Sequence, residues 1–159
     1  MTAMRNILLI SILLFTVNVS FGQDSSEKRL DHFNIKKNVA IQGYDPVSYF
    51  SGNPTKGLPI FIHRYKRIVY LFSSEKNRES FIANPQKYEP AYGGWCAYAM
   101  GLKKAEKVVI NPKTYKIIND KLYLFYNKLG INTKEKWDKE GEEKLKNNAD
   151  KNWNQTISK

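Results

Sequence analysis

Thiols and imidazoles are scarce in this chain, which holds one cysteine, Cys96, and two histidines, His32 and His63. A lone thiol cannot staple a fold internally, so the fold must rest on an apolar core. No CxxC or HxxxH spacing occurs, and a closed zinc site needs about four such ligands. Phosphate-binding loops, paired glycosidase carboxylates and serine triads also lack support in the spacing. Acidic residues are in deficit, with Asp+Glu 15 against Lys+Arg 26 and a net charge of +11. The positive charge is spread out and mixed with acids, which speaks against nucleic acid. It suits solubility or attraction to an anionic envelope surface.

Long apolar runs are missing too, except at the N-terminus. There Arg5 precedes ILLISILLFTVNV, and Ser20-Phe21-Gly22 supplies small residues where a signal peptidase reads. This layout predicts a signal peptide over 1–22 and a mature chain from Gln23, periplasmic or secreted. The run is short for a membrane span and no stop-transfer charges follow it, so no stable span is expected. Residues 23–38 are polar and unpatterned and read as a flexible linker, with His32 a solvated linker residue. What remains suits one domain of class α+β over 39–127, with a helical extension over 128–159 packed on it.

Within the domain, Asp45-Pro46 reads as a helix start, and Gly52 as the end of one short turn. IFIHRYKRIVYLFS, from Ile60 to Ser73, is rich in β-branched and aromatic residues and predicts two strands meeting near Lys66-Arg67. Ser73 or Ser74 caps a helix that Pro85 closes. Gly93-Gly94 permits a tight bend into WCAYAMGL, a short buried helix stopping near Gly101. Val108 to Ile110 predicts a strand, and TYKII-NDK-LYLFYN a hairpin turning at Asn119-Asp120. Asn132 and Glu135 fit a capping pair. Trp137, Leu145, Ala149 and Trp153 then form one stripe of an amphipathic helix, with Gly141 a possible break.

GYDPVSYF, then a hairpin, then NPQKY, then YGGWCAYA, in this order, resembles the exported branch of the YHS-domain family over about residues 39–127. The resemblance implies a small α+β module of the kind found in metal-transport and metal-sensing proteins. In the cysteine-rich relatives the first motif runs Asp-Pro-Val-Cys, and the hairpin ends Phe-Cys-Ser with a further cysteine four residues later. Here Ser48, Ser73 and Asn77 stand at those positions. Hydroxyls are poor ligands for soft metals, so that thiolate site does not carry over.

Three readings of the chemistry follow. In the first, Cys96 with His63, and with Asp45 as the nearest carboxylate by motif, holds a soft metal, copper before zinc. In the second, Cys96 is a nucleophile at a helix start, though no second thiol and no cysteine-hydrolase signature accompany it. In the third, Tyr44, Tyr49, Tyr92, Gly93, Gly94, Trp95 and Tyr98 line an aromatic ligand pocket around the thiol. Those aromatics could equally be core, and Cys96 a small buried hydrophobe. The expectation is an exported, non-enzymatic module binding a small ligand, a metal ion first, near Cys96. The alternative is an envelope interaction or structural domain with Cys96 in its core.

Overall fold

The structure, a computed structural model, describes residues 28–158. The expected signal segment and the first residues of the expected linker lie outside the described residues. A short helix, α1 (28–32), leads into β1 (Ile35–Lys36) and β2 (Val39–Ala40). Single 3-10 turns follow at Ile41–Gly43 and Ser48–Ser51. Next come β3 (Leu58–Tyr65), β4 (Ile68–Phe72), α2 (Glu75–Ala83) and α3 (Pro85–Tyr88). A turn at Ala91–Gly94 delivers α4 (Ala97–Gly101). The chain closes with β5 (Asn111–Ile118), β6 (Lys121–Phe125), β7 (Asn127–Lys128), β8 (Ile131–Asn132), α5 (Thr133–Glu140) and α6 (Glu142–Ile157).

The larger sheet has the order β1-β2-β4-β3. Its pairs are antiparallel except β2 with β4, which is parallel through Val39 and Val69. Two further ribbons, β5-β6 and β7-β8, are antiparallel. The α+β expectation holds. Each hairpin turns through two residues with positive φ: Lys37-Asn38, Lys66-Arg67, Asn119-Asp120 and Leu129-Gly130. That geometry matches the right-handed twist of paired strands and is demanding for residues with a Cβ.

Apolar residues collect in two adjoining cores. One joins Ile68, Tyr70 and Phe72 of β4 to Phe81 of α2, with Leu122, Leu124 and Cys96. The other packs Met100 of α4 and Phe125 of β6 against Trp137, Leu145 and Ala149. Of the expected C-terminal stripe, Trp137, Leu145 and Ala149 are buried, while Trp153 is half-buried against Phe33 and Tyr92. The helix caps fall where the side chains dictate. Ser74 Oγ accepts from Asn77 N at 3.2 Å, and Asn132 Oδ1 from Lys134 N at 3.1 Å.

Two expectations need correcting. Residues 108–110 are irregular rather than a strand; Val108 O accepts from Cys96 N at 3.0 Å, a single contact that founds no ladder. Residues 28–38, expected as a linker, form α1 and β1 and are fastened to the body. Arg29 Nη2 donates to Glu89 Oε1 at 2.5 Å, and Asn34 N to Gly93 O at 2.9 Å. Trp95 Nε1 donates to the carbonyl of His32 at 2.6 Å, so His32 is half-buried rather than solvated. The apolar anchors Leu30, Phe33 and Ile35 are spaced too sparsely among charged neighbours to announce this docking. Among the described residues no helix is long and apolar enough to cross a membrane.

Candidate functional site

Cys96 answers to its neighbours. It is fully buried and lies beside Leu124 in a single parallel bridge. Its Sγ is 3.3 Å from Thr133 Oγ1 and accepts from Tyr126 N at 3.4 Å. Thr133 has one hydroxyl hydrogen, which goes to Tyr126 O at 2.9 Å. The thiol must therefore donate its own hydrogen to Thr133 Oγ1, an arrangement that suits a protonated core cysteine. Although it precedes α4, the sulfur makes no cap bond to that helix. The five-residue helix cannot supply the dipole on which the nucleophile reading leaned.

Asp45 is equally buried but polar in its surroundings. Oδ1 accepts from Val47 N at 2.8 Å and Ser48 N at 3.4 Å. Oδ2 accepts from Ser73 N at 2.9 Å, Ser73 Oγ at 2.6 Å and Asn77 Nδ2 at 2.6 Å. Thus Ser48, Ser73 and Asn77, the three positions matched above to cysteines, converge on one carboxylate. They saturate it with donors instead of offering ligands to a metal. A buried carboxylate without a cation is tolerable only when its lone pairs are filled in this way.

His63 stands elsewhere, on β3 opposite Tyr70, with its ring 6.2 Å from that of Phe81. Burial and then the nearby Arg78 charge hold its pKa below the usual 6.5. Among the described residues no three of His, Cys, Asp and Glu gather as a metal could require. Cys96, His63 and Asp45 are not brought together; each is committed to other neighbours.

The expected aromatic pocket around the thiol is also dispersed. Tyr49 is core, its hydroxyl donating to Pro112 O at 2.8 Å, and burial pushes its pKa up. Tyr98 donates to Glu140 Oε1 at 2.8 Å; burial and that bond push its pKa up to about 12. Tyr92 and Gly93 line a cavity of about 320 Å³ with Arg29, Glu89, Lys121 and Asp150. Arg29 and Glu89 form an ion pair, Asp150 pairs with Lys146, and Lys121 Nζ donates to Gln86 O at 2.8 Å. Tyr70 and Arg29 both donate to Glu89 Oε1, and Tyr92 donates to Asp150 Oδ1 at 2.9 Å. Tyr92, Gly93 and Gly94 all have positive φ there. A Cβ on Gly93 would come within 2.8 Å of Trp153 and 3.1 Å of Phe33, so the glycine lets the N-terminal arm and α6 close over the bend.

Tyr44 and Trp95 line a different feature. A cavity of about 910 Å³ is bounded by Ile35, Val39, Leu71, Trp95 and Val109, with Lys36, Lys37 and Lys56 among its lining. A second of about 420 Å³ adds Tyr44, Pro112, Tyr126, Lys113 and Lys128. Gln42, Lys56 and Val109 belong to both, so the two run together as one cleft. Among the described residues lining it there is no Asp or Glu. None of its lysines enters an ion pair among the described residues, whereas Lys116, Lys134 and Lys146 elsewhere do. At the junction Lys56 Nζ donates to Gln42 O at 3.0 Å and lies 5.0 Å from the Tyr44 ring centre. Sequence reasoning missed this cleft, because its lysines come from distant segments and two of them, Lys36 and Lys37, lay in the expected linker.

No protein-family model matches the chain, and comparison with curated proteins and with solved structures found no match.

Proposed function

We propose that the chain is an exported, non-catalytic binding module of YHS type. Its ligand is an anion with an apolar body, such as a long-chain fatty acid, held in the lysine-rimmed cleft. The observation that carries this reading is the pairing of an apolar lining with lysines that, among the described residues, have no ion pair and no lining carboxylate. Ligand sites of about 300–1,000 Å³, mostly apolar with a few placed polar groups, are the common pattern. The uncompensated lysines raise the local concentration of anions and favour a carboxylate or phosphate head over a cationic one. The soft-metal reading has less behind it, since the thiol hydrogen is engaged with Thr133 and neither His63 nor Asp45 shares its surroundings. The geometry of Cys96 favours the core role of the alternative reading.

The test is titration of the chain from Gln23, which contains every described element, with laurate, dodecyltrimethylammonium and butyrate. Saturable binding of laurate alone is expected, read by tryptophan emission, because Trp95 lines the cleft. Equal binding of the cationic amphiphile, or none of laurate, would overturn the reading. A parallel copper(I) titration of wild type and Cys96→Ser keeps the metal alternative in view; a site lost with the sulfur would restore it.

A further inference from the structure

The four hairpin tips share one backbone geometry but not one chemistry. Three of them, Lys37-Asn38, Lys66-Arg67 and Asn119-Asp120, present polar side chains. The fourth, between β7 and β8, is Leu129-Gly130, with φ of 55° and 76°. Gly130 suits that turn. Leu129 does not, since a left-handed backbone is strained for a bulky side chain and Asn, Asp or Gly is the ordinary occupant. Nor does packing compensate, for Leu129 is 84% exposed and Ile131, at the base of the tip, 47%. Nothing in the fold itself rewards this leucine.

Its position suggests what does. Asn127 and Lys128, on the first strand of this hairpin, form part of the cleft wall beside Lys113. Exposed apolar residues thus stand next to unpaired cations, at one end of a cleft read above as taking an anionic amphiphile. Glu135, in the first turn of α5, has its carboxylate engaged by Asn132 Nδ2 at 2.9 Å. An apolar tip with lysines at its base matches an anionic bilayer surface: the side chain enters the acyl boundary while the ammonium groups stay at the headgroups. We infer that the Leu129-Gly130 hairpin docks this protein on anionic membrane, with Leu129 inserting and the lysines of the cleft facing the headgroups. The inference rests on the amphiphile reading for what the cleft receives, but the docking contact can be tested apart from it.

The experiment is sedimentation of the chain from Gln23 with phosphatidylglycerol/phosphatidylcholine vesicles and with phosphatidylcholine vesicles alone. Three chains are compared: wild type, Leu129→Asn and Leu129→Phe. Binding to the anionic vesicles only is expected. Leu129→Asn should lower the partition coefficient about tenfold, and Leu129→Phe should preserve it. Because Asn is the better turn residue, Leu129→Asn should melt no lower than wild type, so lost binding cannot be lost folding. Unchanged partition of Leu129→Asn, or equal binding to both vesicle compositions, overturns the inference. Binding to neither overturns it as well and reassigns the tip to a protein partner. Laurate titration of wild type separates the two readings. Laurate bound without vesicle docking leaves the cleft and removes the tip, while vesicle docking without laurate binding does the reverse.

Discussion

Asp45 and Lys56 are near neighbours, linked by the bridge between Tyr44 and Lys56 and by Asp45 N donating to Thr55 O at 2.9 Å. Their charges meet opposite fates. Around Asp45 both carboxylate oxygens are taken by donors from its own turn, from the end of β4 and from α2. Around Lys56 the neighbours are other lysines, amides and apolar side chains, and among the described residues lining the cleft no carboxylate answers. A residue in a conspicuous motif can thus be spent wholly on holding the chain together. Capacity to bind remains where charges have not found each other. Breaking each side in turn should separate a stability defect from a binding defect.

The largest effect is expected from Asp45→Ala. It orphans the part-buried N–H groups of Val47 and Ser73 and the amide of Asn77, at roughly 1–3 kcal/mol for each group left unsatisfied. A loss of about 3–5 kcal/mol in urea unfolding is expected. Below the transition, the surviving folded protein should still bind laurate. A loss under about 1 kcal/mol would mean water replaces the carboxylate, and the knot around it would not be structural.

Cys96→Ala comes next. It removes a small buried group and leaves Tyr126 N without its acceptor, for about 1–2 kcal/mol. In the native protein the thiol should react with a disulfide reagent only as fast as the fold opens, and denaturant should unmask it. Rapid modification under native conditions would contradict burial and revive the thiol chemistry.

Much of the frame was legible because its signals are local. Ser74, Asn132 and Asn119-Asp120 act on their own neighbours, and a polar oxygen or a tolerated positive φ is readable residue by residue. Lys66-Arg67 turned as expected although neither residue favours that backbone, so the flanking strands imposed it. The resemblance singled out Ser48, Ser73 and Asn77, but their convergence on Asp45 left no local signal, because Asn77 reaches that carboxylate across 32 positions of sequence. The thiol site failed for a related reason. Its reading rested on Gly93-Gly94 next to Cys96, but the partners that define the sulfur, Thr133 and Tyr126, come from a region read only as strand and tail. The docking of residues 28–38 depended on scattered anchors such as Phe33, which lies against Trp153 at 6.0 Å between ring centres.

A smaller stability effect, and a larger binding effect, should follow Lys56→Glu. The side chain is exposed, so the melt should stay within about 0.5 kcal/mol of wild type. Laurate affinity should fall roughly tenfold, because a carboxylate would then face the ligand's own. Should affinity hold while added salt leaves it unmoved, the lysines would be solvated decoration and the cleft merely apolar.

The smallest effect tests a group outside both regions. His63 has a folded pKa depressed by burial first and by the Arg78 charge second. The unfolded chain therefore takes up a proton that the folded chain resists. Its contribution to stability is complete above the unfolded value near 6.5 and is lost as pH falls through the lower, folded one. Wild type should lose more stability than His63→Gln between about pH 7.5 and about pH 5, as read from denaturant midpoints. The difference should be slight, since the ring is only partly shielded from water. At each pH the two chains should bind laurate equally, because His63 is not among the residues lining the cleft. Parallel loss of stability in the two chains would show that the imidazole titrates alike in both states. A change in laurate binding would instead tie β3 to the cleft, and the separation between the saturated knot and the open site would no longer hold.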